Sequence, residues 1–267
     1  MPLASDIAVL IPHFNNPAAL EKSLASISDQ EPVDVVIVDD GSSSPPDLAC
    51  LRKTFTQISS LHLILLGTNQ GIEHALNAGL TYIVGSKKYR YAARLDQGDL
   101  CVPERFKVQK EYLEAHSEVY LLGSWASYES MSGEHLFDAR PPCDHATIRR
   151  MMFLNNMFIH PAVMFRVAAI EKIGYYDPRF RDAEDYAYFF KFVRNFQTAN
   201  IGQVLLRYEV NPGGMSLSRR KKQIATRIRV ILCNWEWGIF PIWGLVKNSL
   251  LYFVPQAFVG VLKKSLS

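Results

Sequence analysis

Short apolar runs alternate with helical segments through the first hundred residues. The runs at 7–11, 33–38, 61–66 and 89–95 predict strands, and the periodic segments 17–29 and 71–83 predict helices. Nearly continuous apolar runs are typical of strands that are buried on both faces of a parallel sheet. The sequence therefore predicts an α/β fold with a mostly parallel, Rossmann-like sheet and helices on both faces.

Polar residues follow each predicted strand. The clusters are His13-Phe14-Asn15, Asp39-Asp40, Asn69-Gln70-Gly71, and Asp96 with Asp99. Ligands of open α/β sheets bind outside the carboxyl ends of the strands. Each cluster alone has the composition of an ordinary turn. The four clusters together, at one sheet edge, favour a shared ligand site.

The ligand is not indicated by a glycine-rich phosphate loop. No GxGxxG follows the first strand and no GxxxxGK[ST] occurs, so dinucleotide and P-loop sites lose their main support. The segment RLDQGD, residues 94 to 99, carries two acids instead. Mg²⁺ and Mn²⁺ are commonly held by one or two carboxylates together with substrate phosphates. Acids at this edge therefore predict a divalent cation and a phosphate-bearing ligand.

Composition excludes several other classes. With 48% hydrophobic residues, 21% charged residues and a net charge of +3, the 267 residues suit a folded protein and do not indicate a general nucleic-acid binder. The four cysteines are widely separated and form no CxxC pair, which favours a reducing compartment over a zinc or disulfide framework. The first residues resemble a strand rather than a signal peptide, so we expect a cytoplasmic protein.

Five motifs occur in a recognisable order: IPHFN at 11–15, VDDGS at 38–42, NQG at 69–71, ARLDQGD followed by PERF at 93–106, and AEDYAYFFKF at 183–192. Over residues 6 to 215 the chain resembles family 2 inverting glycosyltransferases. The resemblance implies a GT-A fold, a nucleotide-sugar donor, Mg²⁺ or Mn²⁺, and the transfer of one sugar. It does not specify the sugar.

The resemblance also implies where the nucleoside lies. The turn formed by Pro12, Phe14 and Asn15 would lie along the base and ribose. Asp40 would accept a hydrogen bond from a pyrimidine imide N–H, which implies a UDP- or dTDP-linked donor.

The diphosphate would lie further along the same edge. Asn69 and Gly71 would line the path toward it, and Asp96 would contact the donor. Arg94 could reach the diphosphate as a cationic hydrogen-bond donor. An arginine at the surface end of a strand is the alternative for Arg94.

The chain departs from the family pattern at Gly98. The family usually has Asp-Xaa-Asp-Asp here, and its third position, commonly the direct metal ligand, is Gly98. Asp96 and Asp99 remain as the predicted metal ligands. In the alternative, Asp99 only caps a helix that begins near Pro103.

The second half is expected to supply the acceptor side and the base. By resemblance, Asp185 is the general base and Glu184 orients the acceptor or the base. A purely capping role at a helix N-terminus is the alternative for this pair. His160 is assigned to the acceptor side, although a lone histidine is often structural.

The C-terminal segment differs in character. We predict a glycosyltransferase domain over 1–232 and an amphipathic, aromatic tail over 233–267. The basic residues Arg219, Arg220, Lys221, Lys222, Arg227 and Arg229 precede many aromatic residues, and no apolar run is long enough to span a bilayer. This pattern favours peripheral binding to an anionic membrane on its inner face. A C-terminal helix packed on the domain is the alternative.

The leading hypothesis is a metal-dependent inverting glycosyltransferase of cell-surface polysaccharide biosynthesis that acts on a glycan or lipid-linked acceptor. A catalytically weakened partner subunit that binds nucleotide-sugar or glycan is the alternative that Gly98 suggests. A nucleotidyltransferase lacks support because no glycine-rich, arginine-containing loop follows the first strand.

Overall fold

The computed structural model describes residues 5–28, 30–210 and 220–253. Each predicted apolar run forms a strand: β1 at Ile7–His13, β2 at Asp34–Asp39, β3 at Ser60–Leu65 and β4 at Tyr91–Arg94. These strands are parallel and lie in the order β3-β2-β1-β4. Their carboxyl ends therefore share one edge, as the sequence predicts.

The second half of the chain makes the sheet mixed. Its strands are β5 at Leu100–Cys101, β6 at Val119–Ser130, β7 at His135–Ala139, β8 at Met164–Arg166 and β9 at Gln197–Val210. The order continues from β4 through β8, β6 and β9 to β5, with β7 paired to β6. β8 is antiparallel to both β4 and β6, whereas β9 is parallel to β6.

Helices cover both faces of this sheet. They are α1 at Pro17–Ala25, α2 at Leu48–Thr54, α3 at Ile72–Gly85, α4 at Arg105–Ala115, α5 at His145–Met151, α6 at Ala169–Ile173, α7 at Glu184–Asn195, α8 at Arg220–Cys233 and α9 at Ile239–Phe253. α1 begins where the Asn16 side chain accepts a hydrogen bond from Ala19 N and Pro17 takes the first helical position. It ends at Ala25, earlier than predicted.

The core consists of two layers because successive strand residues point to opposite faces. Leu10 and Val38 pack on one face with α3 and α7, and Val9 and Ile37 pack on the other. α3 approaches closely at Gly79, where a Cβ atom would lie 2.2 Å from Leu10 Cδ1. This close packing fixes the strand ends relative to the N-terminus of α3.

The C-terminal helix α9 packs on the domain, as the packed-helix alternative predicts. It buries Pro241, Gly244 and Asn248, and a Cβ atom at Gly244 would lie 2.0 Å from Phe153 O. Residues 254–267 of the predicted tail, and Arg219, lie outside the described residues. In the part of the chain that the structure describes, no helix is long and apolar enough to cross a membrane.

The other face of α9 is strongly apolar and exposed. Phe253 at the end of α9 is 81% exposed, and Trp237, two residues before the start of α9, is 90% exposed. The remaining exposed residues of this face are Ile239, Ile242, Trp243, Val246 and Leu250. Large apolar patches on a soluble domain mark interaction surfaces.

Candidate active site

Gln97 joins the IPHFN turn after β1 to the RLDQGD turn after β4. Its amide oxygen accepts a hydrogen bond from Phe14 N at 3.2 Å, and its amide nitrogen donates to Phe14 O at 3.3 Å. Sequence reasoning did not single out Gln97, because the bond spans 83 residues. The pair holds the RLDQGD turn beside the IPHFN turn.

The IPHFN turn presents exposed groups at this edge. Phe14 is 41% exposed, and Asn15 adopts a left-handed conformation with φ of 49°. Asn15 N donates to Ser42 Oγ, and Asn15 Oδ1 accepts from Ser43 N. Pro12 is half-buried behind them. The turn is thus held open toward solvent, and its contacts with base and ribose stay a prediction.

Asp40 ties two turns together. Its carboxylate accepts hydrogen bonds from Gln70 N at 2.8 Å and Gly71 N at 2.9 Å, and the residue is buried. Asn69 is exposed at the front of the turn that Asp40 holds. Each carboxylate oxygen has a second lone pair, so recognition of a base by Asp40 stays a prediction.

Gly71 has a φ of 103°, a conformation that L side chains rarely adopt. A Cβ atom there would lie 3.0 Å from Glu73 Oε2 and 3.1 Å from Arg181 Nη2. The turn before α3 therefore favours glycine on conformational grounds, and a larger residue would also require the Glu73 and Arg181 side chains to shift.

The alternative that Arg94 is a surface arginine is wrong, whereas its contact with the diphosphate stays a prediction. Arg94 is fully buried, because β4 lies in the middle of the sheet. Its Nη1 donates to Leu10 O at 2.7 Å, and its Nη2 pairs with Asp96 Oδ1. Arg94 therefore positions Asp96 from beneath the site.

His160 lies on the other side of the Arg94 guanidinium. Its Nε2 accepts a hydrogen bond from Arg94 Nε at 3.4 Å and lies 2.9 Å from Tyr176 Oη. Burial, followed by the nearby charge of Arg94, lowers the pKa of His160 well below its ordinary value. The ring is neutral and supports Arg94. A contact with the acceptor stays a prediction.

Asp99 does not cap a helix. α4 begins at Arg105, and Asp99 Oδ1 accepts a hydrogen bond from Glu209 N of β9 at 2.9 Å. Asp99 Oδ2 is buried without a hydrogen-bond partner among the described residues. Burial, followed by the charge of Asp96, raises the pKa of Asp99 well above its ordinary value.

The backbone explains the glycine at position 98. Gly98 has a φ of 99°, and a Cβ atom there would lie 3.4 Å from Glu209 Oε1. Glu209 itself pairs with Lys22 of α1. An aspartate at position 98 would be strained and would face this carboxylate, so the turn cannot carry the family's third acid without changing shape.

Asp96 and Asp99 fit a divalent cation only as a partial ligand set. They offer oxygen atoms, which Mg²⁺ and Mn²⁺ prefer, and Asp99 Oδ2 lacks any other partner in the described chain. No cluster of three or more histidine, cysteine, aspartate or glutamate side chains suited to a metal occurs among the described residues. Such a pair suits an ion that is bound mainly through donor phosphates.

Glu184 and Asp185 are the first two residues of α7. Asp185 Oδ2 accepts from Asn156 Nδ2 at 2.9 Å, and its Oδ1 accepts from Tyr186 N at 2.7 Å. Burial raises the pKa of Asp185, and the negative charge of Asp96 raises it further. Burial, together with the adjacent Asp185, raises the pKa of Glu184 to about 8.

This pair does more than cap α7. Neither oxygen of Asp185 bonds to the backbone beyond its neighbour Tyr186, and Asn156 orients it from another segment. Asp96 is close enough to change the pKa of Asp185, so the two halves of the chain meet at these acids. Asn156 was not predicted, since nothing in its local sequence marks it.

Two further buried side chains, those of Arg105 and Tyr176, lie beneath the candidate site. Arg105, from the PERF motif, donates to Arg94 O at 2.8 Å and to Gln109 Oε1 at 3.1 Å. The Tyr176 ring stacks on Tyr188 with centroids 4.0 Å apart. The PERF motif was a signal for Arg105, whereas Tyr176 could be found only from the structure.

A mixed sheet whose strand ends carry an acidic turn, together with a helix that begins with an acid pair, defines a GT-A-like fold. The same architecture occurs in the mannosyltransferase PcManGT from Pyrobaculum calidifontis, solved with GDP-Man and Mn²⁺. That structure matches with a TM-score of 0.65 and 15% identity, over 99% of this chain and 80% of that one.

The chain belongs to Glycosyl transferase family 2, whose sequence profile matches residues 8–174. It is 30% identical over 253 residues to the amylovoran biosynthesis glycosyltransferase AmsE of Erwinia amylovora, covering 92% of this chain and 91% of AmsE. It is 26% identical over 196 residues to the UDP-Gal:alpha-D-GlcNAc-diphosphoundecaprenol beta-1,3-galactosyltransferase of Escherichia coli, covering 72% of this chain and 69% of that protein.

Proposed function

We propose that this protein is an inverting glycosyltransferase that moves one sugar from a UDP- or dTDP-sugar to a hydroxyl of a glycan or lipid-linked saccharide, in cell-surface polysaccharide biosynthesis. The observation that carries the proposal is the Asp185 carboxylate, oriented by Asn156 within electrostatic range of Asp96. The names of the amylovoran and galactosyltransferase relatives support the polysaccharide pathway and the UDP-linked donor.

Asp185 is the proposed general base. It takes the proton of the acceptor hydroxyl while that oxygen attacks the anomeric carbon from the face opposite the nucleotide, which inverts the configuration. A carboxylate whose pKa is raised by burial is a stronger base than an ordinary aspartate. Glu184, with a pKa of about 8, is protonated at neutral pH and can donate a hydrogen bond to the acceptor.

Asp96 and Asp99 are the proposed ligands of Mg²⁺ or Mn²⁺. When bound, the ion would offset the charge that develops on the departing diphosphate. Arg94 holds Asp96 in an ion pair, and the buried Asp99 Oδ2 has no hydrogen-bond partner among the described residues. The Mn²⁺ complex of PcManGT supports this assignment.

Three matched variants test the roles of these acids. Asp185→Asn keeps the size of the side chain and removes its basicity, so turnover should fall by about 10² to 10⁴-fold with donor affinity unchanged. Asp96→Asn should weaken Mn²⁺-dependent nucleotide binding instead. Asp99→Asn should resemble Asp96→Asn. Nucleotide affinity with and without Mn²⁺, measured beside turnover, separates the two effects.

Loss of Mn²⁺-dependent affinity in Asp185→Asn, with none in Asp96→Asn, would reverse the assignment of the two sites. An unaltered protein that binds nucleotide-sugar but neither hydrolyses nor transfers it in Mn²⁺ would be a partner subunit rather than an enzyme.

We further propose that the C-terminal helices bind the inner face of an anionic membrane. Lys221, Lys222 and Arg229 are exposed on α8, beside the exposed apolar face of α9. Basic residues next to aromatic ones favour anionic interfaces. Trp237→Ser should lower co-sedimentation with anionic vesicles severalfold, whereas Met131→Ser, at a distant exposed turn, should not. Equal losses in both variants would contradict a specific membrane face.

A further inference from the structure

An apolar groove of about 580 Å³ lies between α9 and the loop after α5. Leu154 forms one wall, and Phe240, Trp243 and Leu250 form the other. Lys247 is the one charged residue among those that line it in the described chain. A groove with this lining suits a hydrocarbon chain rather than a sugar.

The groove and the proposed active site share one segment of chain. Leu154 lies two residues before Asn156, which donates its hydrogen bond to Asp185. The contact of Gly244 with Phe153 O holds α9 against the same loop. The apolar groove and the proposed base are thus attached to one short segment of chain.

Lys247 lines the groove, and Arg227 lies within electrostatic range of both Lys247 and Asp185. Lys247 Nζ donates to Leu154 O at 3.2 Å at the rim of the groove. Arg227 of α8 is half-buried, and no hydrogen bond or ion pair joins its guanidinium to the described residues. The charge of Arg227 lowers the pKa of both Asp185 and Lys247, so Arg227 is within electrostatic range of the base and of the groove.

The order along this surface is therefore base, cations and apolar groove. A saccharide on a lipid diphosphate has the complementary order of hydroxyl, diphosphate and hydrocarbon. Arginine and lysine are the usual partners of phosphate oxygens. A half-buried arginine without a partner gains more from such an anion than an exposed one, because solvent screens it less.

We infer that the acceptor is a saccharide carried on a lipid diphosphate, whose diphosphate binds Arg227 and Lys247 and whose first hydrocarbon units occupy the groove between α9 and Leu154. This inference rests on the proposed function, and it names the residues that distinguish a lipid-linked acceptor from a free glycan.

Farnesyl diphosphate, without donor or sugar, is a direct probe of this site. Calorimetric titration of the full chain should show that farnesyl diphosphate binds. Farnesol and inorganic diphosphate should each bind at least about tenfold more weakly. Arg227→Gln should weaken the binding of farnesyl diphosphate by about ten- to a hundredfold, which corresponds to the loss of one charge-assisted hydrogen bond. The affinity for farnesol should not change. Leu250→Asn, at a position 63% exposed, should weaken both.

Arg229→Gln is the matched control, since it removes the same charge from the same helix at an exposed position. An equal loss of affinity in Arg229→Gln would mean that only general positive charge matters and would overturn the inference. Absence of binding in the unaltered chain would also overturn it. A dimer that Trp243→Gln dissociates would then assign the groove to a second copy of this chain.

Transfer assays separate this inference from the proposed function. Equal transfer efficiency to lipid-diphosphate and lipid-free saccharides would overturn the inference while the proposed enzyme stands. Specific binding of farnesyl diphosphate with no transfer to either acceptor would support the lipid site and count against the proposed enzyme.

Discussion

Replacing Glu184 by glutamine should stabilise the protein in a pH-dependent way. Burial and the adjacent Asp185 raise the pKa of Glu184 from 4.5 to about 8. The folded protein therefore holds a proton at this carboxyl that the unfolded chain releases near pH 4.5. Folding stability consequently falls as the pH rises from about 4.5 to about 8. Glutamine stays neutral and avoids this loss.

The size of the effect follows from the shift. One pKa unit corresponds to about 1.4 kcal/mol, so the shift sets an upper bound of about 5 kcal/mol above pH 8. Glu184 is part-buried and interacts with Asp185, so we expect a gain of about 1–3 kcal/mol. At pH 5 the folded protein holds the proton on Glu184, so replacing it by the neutral glutamine should leave the stability about equal there.

The assay is thermal unfolding from pH 5 to pH 9, without nucleotide or metal. A gain of about 1–3 kcal/mol should raise the melting temperature by roughly 2–10 °C at pH 8.5 and by nothing at pH 5. Glu171→Gln is the control, because Glu171 also lies in the first turn of a helix but is exposed. A difference that is the same at pH 5 and pH 8.5 would refute a raised pKa at Glu184.

Two further variants test the buried framework of the site. Arg94→Lys should destabilise the fold by about 2–4 kcal/mol and weaken Mn²⁺-dependent nucleotide binding, because lysine cannot hold both Leu10 O and Asp96. The measurement is unfolding in denaturant. The control Arg90→Lys, at an exposed ion pair, should change the free energy of unfolding by less than about 1 kcal/mol. Gly71→Ala should lower the free energy of unfolding by about 1–3 kcal/mol because of the positive φ and the close neighbours of Gly71. Gly85→Ala, with open space around it, should be neutral. Equal effects of the two variants would contradict the conformational reason.

The parallel half of the sheet was predictable from the sequence because burial on both faces favours runs of mostly apolar residues. The segment at 33–38 is one example: every residue of β2 is buried. The order of β8, β6 and β9 was not predictable, since it depends on pairings between residues far apart in the chain. Val119, for example, pairs with Gln197.

The local pattern predicted that the acidic turn follows β4 and that the acid pair begins a helix, whereas the roles of Asp96 and Asp185 stay predictions. The site was not predictable where a role depends on a distant partner. Arg94 is a charged residue at a strand end, and only the central place of β4 shows that it is buried. Asp99 follows the same rule, because its partner Glu209 lies 110 residues away. Long-range hydrogen bonds, rather than local pattern, decide such roles.

A methyl group at position 244 would collide with Phe153 O, so any larger residue there must push α9 away from the loop that carries Asn156. Since Asn156 orients Asp185, that displacement would tilt the proposed base as well. The position of α9 and the orientation of the Asp185 carboxylate are therefore coupled through the segment that contains Phe153 and Asn156. A force on α9, whether from a bilayer or from a fused C-terminal tag, would therefore reach the proposed base through the Phe153 and Asn156 segment.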